Sequence, residues 1–297
     1  YYFLYSLFKK YKKYLTIPSL LLYCTLIDMT PSVLRALIFI TIFKTNKEFH
    51  FGLSTFKMLI LALTVLLIIN PTNIKDIGFN YSFVISTGLI LYYDNKKQDK
   101  SIFKLLEVSI LAFLFSLPIS LYYFSSINLL SIIYNLFYVP FVSAILFPLT
   151  FLTAIFSFFT PFYLLIINLF EKSIFFFSNI SINLTFRKLN IIVYIIYLLI
   201  IFISIYKRKV IYLLLIILIP HYFYNNIVLE DKLYMIDVGQ GDSILFTSNN
   251  KYMLLDTGGS LNSSVDNWSE GDNLITSLRE KGVRKLDTIL ISHGDID

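Results

Sequence analysis

The sequence predicts a polytopic α-helical membrane domain over residues 1–224, followed by the truncated start of an α/β domain over residues 225–297. Hydrophobic residues make up 57% of the chain and charged residues 15%, whereas a soluble domain carries roughly 25% charge. The charge balance also changes sign near residue 225, from 19 Lys and Arg against 7 Asp and Glu to 6 against 12. The net charge of +6 therefore comes from the apolar part and not from a basic nucleic-acid-binding domain.

Apolar runs, separated by short charged or Pro/Asn-containing breaks, predict nine membrane spans. They cover residues 14–27, 29–43, 57–70, 79–93, 105–124, 129–147, 149–170, 191–206 and 210–224. Several runs are nearer fifteen residues than the roughly twenty that cross the hydrocarbon core. We therefore expect some spans to be tilted, re-entrant or differently bounded. Four prolines lie within or between spans, where neighbouring helices can satisfy the freed backbone groups: Pro118, Pro140, Pro148 and Pro161.

Basic residues fall in alternate loops between these spans. They occur before the first span and around residues 44–57, 96–104 and 207–209. The positive-inside rule places these loops in the cytoplasm. Nine spans that begin inside then put the acidic C-terminal part on the extracytoplasmic face. The pair Arg187-Lys188 is an exception, because this scheme puts it outside.

Shorter elements are predicted after Asn225. Leu233–Val238, Ser243–Thr247 and Lys251–Asp256 are typical of strands, with glycine turns after the first and the third. A helix is predicted between Asp266 and Glu280, followed by a buried strand at Leu286–Ile291. Strands, a helix and a further strand, in this order, open a mixed α/β layer fold.

The chain ends on a possible metal-binding motif. His293, Asp295 and Asp297 alternate, and alternate residues of an extended segment point the same way. His293 and Asp295 could therefore hold one cation, and Asp297, further along the loop, a second. Imidazole with carboxylate suits zinc, manganese or iron. The other interpretation is a polar turn after a core strand. Because the chain stops in this motif and begins at Tyr1 rather than Met, we expect it to be a fragment.

Three stretches of this C-terminal part are similar to one known family. They are residues 235–243 (MIDVGQGDS), 255–259 (LDTGG) and 286–297 (LDTILISHGDID). Together they resemble the start of the metallo-β-lactamase-like domain of the ComEC competence proteins. Residues 30–36 (TPSVLRA), 70–71, 76–83 (DIGFNYSF) and 135–148 resemble parts of that family's membrane competence domain.

The resemblance implies a DNA-uptake channel of the bacterial cytoplasmic membrane. Such a channel passes one strand of incoming DNA, and its extracytoplasmic domain is thought to degrade the other by metal-assisted phosphodiester hydrolysis. His293 and Asp295 would hold one ion, and Asp297 the other as the candidate catalytic residue. Asp295 replaces a histidine of the wider superfamily, which favours Mn over Zn. The remaining ligands would lie beyond Asp297, so we expect this fragment alone to be inactive.

The resemblance also points to residues that support this site. Asp256 would act behind the ligands or hold the backbone, although a turn-capping aspartate is the other interpretation. Asp242 is likewise expected to act behind the ligands or to hold the backbone. Gly239, Gly241 and Gly258 are expected to serve backbone turns rather than phosphate binding.

Arg35 is the candidate residue of the DNA path within the membrane part. A buried charge there is costly and tends to face a polar pathway, although an arginine that snorkels near a helix start would explain it equally.

The expected partners are single-stranded DNA, membrane lipid, a separate DNA receptor and a cytoplasmic ATPase, since the chain has no nucleotide-binding P-loop. Two other functions stay open: a membrane-anchored metallohydrolase with a non-DNA substrate, and a channel with a degenerate binding domain.

Overall fold

The structure is a computed structural model that describes residues 12–26, 30–94, 103–224, 231–238, 241–258 and 268–292. Most of these residues are helical. They pack as two compact units, one of Tyr1–Ser116 with Leu130–Ser181 and one of Leu117–Leu129 with Ile182–Asp297. The predicted boundary at residue 224 follows composition, whereas these units follow packing, so residues 182–224 fall with the C-terminal part.

The first unit begins with four helices. They are α1 (Lys12–Leu26), α2 (Pro31–Phe49), α3 (Thr55–Ile69) and α4 (Ile77–Asp94). Pro31 opens α2, where its missing N–H is not needed. Between α3 and α4, the Asn70 side chain accepts a hydrogen bond from Thr72 N at 3.0 Å, and Asp76 accepts one from Phe79 N at 2.6 Å. These caps satisfy the exposed N–H groups of the helix starts.

The core of the first unit lies between α2, α3 and α4. Leu59 and Leu66 of α3 are buried against Phe79 and Phe83 of α4, and Leu34 and Ile38 of α2 pack on this cluster. Large apolar side chains on three facing helices explain why these short elements stay together.

Three helices of the described residues are long and apolar enough to cross a membrane. The first is α5 (Lys104–Tyr123), the second runs from Ser131 to Ile155, and the third runs from Ser157 to Asn179. The second consists of α6 (Ser131–Phe141), a π-helical turn at Val142–Leu146 and α7 (Phe147–Ile155). The third consists of a 3-10 turn (Ser157–Phe159) and α8 (Thr160–Asn179). These helices are compatible with the predicted membrane domain.

The boundary between the sixth and seventh predicted spans differs from the prediction. The sequence places it at Pro148, but the helix continues to Ile155 and breaks at Phe156, which has an extended backbone. A π-helical turn directly precedes α7 and shifts the hydrogen-bond pattern there. The proline then falls in the first turn of α7, where it is tolerated.

The second unit contains a two-stranded sheet and two shorter apolar helices. β1 (Ser126–Asn128) pairs antiparallel with β2 (Asn183–Thr185). α9 (Ile191–Tyr206) starts at Asn190, whose side chain accepts from Ile192 N at 2.6 Å. A 3-10 turn (Arg208–Val210) leads into α10 (Ile211–Tyr222). Both helices are shorter than the three described above.

A four-stranded sheet follows in the same unit. The strands β3 (Lys232–Met235), β4 (Ile244–Ser248), β5 (Lys251–Leu255) and β6 (Thr288–Leu290) lie in this order, and α11 (Trp268–Glu280) precedes β6. β3, β4 and β5 pair antiparallel, whereas β5 and β6 are parallel, as a helical crossover requires. Ile236, Leu245 and Leu254 are buried with Val283 beneath α11. These elements agree with the predicted order of strands and helix.

The last strand is exposed, although the sequence predicts it to be buried. All three residues of β6 are exposed, Ile289 at 52% and Leu290 at 47%. β6 ends the described sheet, where β5 is its one neighbour. The apolar run therefore predicts the strand correctly but not its burial. Burial depends on which elements pack against the strand and the sheet edge.

Candidate functional site

The predicted metal ligands His293, Asp295 and Asp297 lie outside the described residues, as does Gly239. Within the described ranges, no group of three or more His, Cys, Asp or Glu side chains could hold a metal ion. The metal set therefore stays a prediction. What the structure provides is the sheet edge that leads directly into it.

Asp256 fixes the backbone immediately before the predicted metal motif. Its N–H donates to Leu290 O at 2.9 Å, and its carboxylate oxygen Oδ1 accepts from Ser292 N at 2.7 Å. Ser292 is the residue before His293. Asp256 itself has a φ of 52°, which aspartate tolerates better than most residues. The carboxylate thus bonds a neighbouring strand end and does not merely cap its own turn.

Ser243 connects the first glycine turn to the same edge, and sequence reasoning missed it. Its side chain is 2% exposed, and its hydroxyl donates to Asp256 O at 3.0 Å. Its carbonyl accepts from Ile236 N at 2.8 Å. The only signal in the sequence is its position at the end of the MIDVGQGDS stretch. Ser243 and Asp256 together tie the ends of β3, β4, β5 and β6 into one network.

The glycines of the turns adopt backbone conformations that favour glycine. Gly241 has a φ of 77° and Gly258 a φ of 68°, where a side chain would be strained. Asp242, between Gly241 and Ser243, is exposed. The turn at Gly241 lets the chain reverse between β3 and β4, and the turn at Gly258 follows Asp256.

A reciprocal pair of hydrogen bonds sets the start of β6. The Asp287 carboxylate oxygen Oδ2 accepts from Tyr252 N, and Asp287 N donates to Tyr252 O, both at 2.9 Å. These bonds align β6 with β5, so that Leu255 lies opposite Leu290. The position of Ser292 relative to Asp256 follows from this register.

Arg35 faces a neighbouring helix within the first unit. Its Nη1 donates to Ser86 Oγ of α4 at 3.2 Å, and its guanidinium lies 5.9 Å from the centroid of the Phe83 ring. Its Nε is buried and has no hydrogen-bond partner among the described residues. One hydrogen bond and one ring face offset only a small part of the desolvation cost of a guanidinium among apolar side chains. These contacts place the Arg35 guanidinium against α4.

Comparison with known proteins is decisive for the family. The sequence model of a protein family described as "Competence protein" matches residues 1–222. These residues include helices α1 to α10. The chain belongs to the competence protein family. The resemblance found in the sequence is thereby confirmed, and the family and the apolar helices together indicate a membrane protein.

One curated relative of this competence protein is ComE operon protein 3 of Bacillus subtilis (strain 168). The two are 30% identical over 305 residues, which cover 93% of this chain and 39% of the relative. The chain therefore spans about 39% of that relative's length. Because the match covers more of the chain than residues 1–222, it extends into the C-terminal part. No solved structure matches the chain significantly.

Proposed function

We propose that this competence protein belongs to a channel that takes up single-stranded transforming DNA across the bacterial cytoplasmic membrane. The observation that carries the proposal is the competence-family match over residues 1–222. The helices of that region include three that are long and apolar enough to cross a bilayer. The relative from Bacillus subtilis bears the name ComE operon protein 3, and the sequence resemblance to the ComEC competence proteins supports the same role.

Within this channel, Arg35 is proposed to meet the DNA phosphates. A guanidinium is a strong and geometrically fitting partner for phosphate. The Arg35 side chain makes one hydrogen bond, to Ser86, and its Nε has no partner among the described residues. The guanidinium therefore has N–H groups left to bind a ligand. A pathway for a polyanion needs such a cation at a depth where the surrounding side chains are apolar.

The C-terminal part is proposed to be the beginning of an extracytoplasmic, metallo-β-lactamase-like nuclease domain. His293 and Asp295 would hold one divalent Mn or Zn ion and Asp297 a second, and Asp297 is the candidate catalytic residue. When bound, the ions would supply an activated water and stabilise charge on the phosphate oxygens. The donor types fit such ions, and the Asp256–Ser292 bond holds the backbone from which the donors extend.

The topology of this proposal follows the positive-inside rule. The basic loops face the cytoplasm, and the acidic C-terminal part lies outside. DNA would be delivered by a separate receptor, and the energy for transport would come from a cytoplasmic ATPase. Both are partners of the complete protein.

Deletion of the gene in a naturally transformable host tests the proposed function. The deletion strain should lose transformation and the internalisation of labelled DNA, and the complete gene supplied in trans should restore both. DNA binding at the cell surface should persist, because the receptor is separate. Normal transformation of the deletion strain would overturn the proposal.

A further inference from the structure

Two groups of basic residues stand out against their surroundings. Residues 225–297 carry an excess of acidic residues, yet four of their six basic residues fall within residues 279–285. The pair Arg187-Lys188 is the exception to the positive-inside pattern. The two groups come together in the second unit and form one surface, which we call the junction surface. Its cations are Arg187, Lys188, Arg279, Lys281, Arg284 and Lys285.

Backbone and side-chain contacts join the two groups. Lys188 N donates to Glu280 O at 2.9 Å, and Lys188 Nζ lies 2.5 Å from Glu280 Oε1. Arg187 pairs with Lys281 in an isolated antiparallel bridge. The end of α11 therefore rests directly on the segment between β2 and α9.

Arg284 strengthens the same junction from the loop after α11. Its Nε donates to Thr185 O at 3.3 Å, and its Nη2 donates to Tyr222 O. Tyr222 is the last residue of α10. The junction surface thus includes the ends of β2, α10 and α11.

Tyrosine rings alternate with the cations on this surface. The Arg284 guanidinium lies 3.7 Å from the centroid of Tyr222, that of Arg187 lies 5.1 Å from Tyr224, and Lys281 Nζ lies 4.6 Å from Tyr234. Cation–π contacts hold each ring beside a positive charge. Three rings from α10, its end and β3 are thereby brought into one basic area.

The number of cations exceeds what attachment of α11 requires. The Arg187–Lys281 bridge and the Lys188–Glu280 backbone bond use main-chain atoms, which any residue could supply. The exposed side chains of Arg279 and Lys285 make no hydrogen bond or ion pair with any described residue. Arg279 lies in the last turn of α11, where a cation stabilises the helix end. Lys285 lies beyond the helix, and like charges placed close together repel each other. A polyanionic ligand accounts for the cluster as a whole.

We propose that the junction surface binds single-stranded DNA, with phosphates on the cations and bases on the tyrosine rings. The inference rests on the proposed function and names a place where the strand contacts the protein. Positive charge that follows the backbone, together with aromatic platforms for the bases, is how proteins hold single strands without sequence preference. The proposed occupant is DNA, because three rings beside the cations offer stacking faces for its bases.

The test uses two double variants of the complete protein that remove equal charge. The junction variant is Arg279→Gln with Lys285→Gln, and the control is Lys232→Gln with Lys251→Gln. All four side chains are exposed and belong to the same α/β part. Proteins in zwitterionic nanodiscs are titrated with a fluorescent oligothymidine by anisotropy at several salt concentrations. Each phosphate contact contributes about 0.7 to the slope of log K against log salt.

The junction variant should bind more weakly, and its salt slope should fall by about 1.4 for two lost contacts. The control should keep the slope of the wild type. Equal slopes for both variants would overturn the inference, as would a junction variant that loses binding only to anionic-lipid vesicles. Failure of the proposed function is a separate result: the wild-type gene would then not restore DNA uptake to a deletion strain.

Discussion

Asp256 holds the backbone directly before the predicted metal motif. Its side chain accepts the backbone N–H of Ser292 at 2.7 Å, and its own N–H bonds Leu290. A carboxylate bonded to a backbone N–H makes a stronger hydrogen bond than a neutral acceptor does. The residue before the predicted ligand His293 is held in this way.

Replacement of Asp256 by Ala should release the end of β6. The lost charge-assisted bond is worth about 1.5–3 kcal/mol, so the Ser292 amide should exchange its hydrogen at least about tenfold faster. Hydrogen exchange with mass spectrometry on the complete protein measures this. Asp231→Ala is the matched control, because Asp231 is an exposed acidic residue directly before β3. Unchanged protection of Ser292 in Asp256→Ala would show that the bond is not needed.

The same variant tests the link between this bond and the predicted metal site. Loss of a supporting residue behind metal ligands typically lowers metal affinity by about 10–100-fold. Titration calorimetry of the complete protein with Mn²⁺ should show a decrease of this size for Asp256→Ala and none for Asp231→Ala. Equal affinities for the two variants would contradict the supporting role of Asp256.

Arg35 is the residue on which the proposed DNA path depends. Removal of a guanidinium that meets phosphate should cost about 1.5–3 kcal/mol, which corresponds to an approximately tenfold or greater decrease in DNA internalisation. Arg35→Lys should restore only part of it, because lysine lacks the planar fork of donors. Lys47→Ala is the control, since Lys47 is an exposed cation near the end of the same helix. Normal internalisation by Arg35→Ala, at normal protein levels, would remove Arg35 from the path.

At the scale of elements, the packing of α4 on α5 depends on the absence of one side chain. A Cβ added to Gly88 of α4 would lie 2.6 Å from ring atoms of Phe115 on α5. No Cβ atom tolerates such a distance, and Phe115 is almost fully buried. Small residues of this kind allow membrane helices to approach closely.

Gly88→Ala should therefore destabilise the first unit by about 1–3 kcal/mol, the usual cost of overpacking. Thermal unfolding of the detergent-solubilised protein measures the change. The double variant Gly88→Ala with Phe115→Leu should recover part of the loss, because the smaller side chain leaves room for the added methyl group. A double variant that unfolds at the same temperature as Gly88→Ala would mean that this contact is not the cause.

The sequence predicts some of these elements well, for physical reasons that are local. Strand-like apolar segments and the glycine turns after the first and third strands place β3, β4 and β5 within a few residues. The π-helical turn before Pro148 and the exposure of β6 depend on neighbours that no local pattern records. The contact between Arg187-Lys188 and α11 joins segments about ninety residues apart, so it appears in the sequence only as an exception to the charge pattern.

At the scale of the whole molecule, charge and hydropathy predict the membrane character, and short sequence motifs predict the family. The motifs of the membrane part and those of the C-terminal part together predict the family. Each motif combines a glycine turn or a helix start with specific polar residues. The candidate site is less complete. Asp256, Gly241, Asp242 and Gly258 are placed by the structure, whereas the ligand set from His293 to Asp297 is a prediction from the sequence and lies outside the described residues.

The orientation of the C-terminal part is the claim on which the proposed channel and nuclease both depend. Cys24 is the only cysteine and is buried, so Cys24→Ser gives a background for labelling single introduced cysteines. Lys251→Cys, at the exposed start of β5, reports the C-terminal part, and Lys47→Cys reports the end of α2, which the topology assigns to the cytoplasm. A membrane-impermeant maleimide is applied to cells in which the reagent reaches the outer face of the cytoplasmic membrane. It should label Lys251→Cys at once and Lys47→Cys only after permeabilisation. Labelling of Lys251→Cys only after permeabilisation would contradict the account.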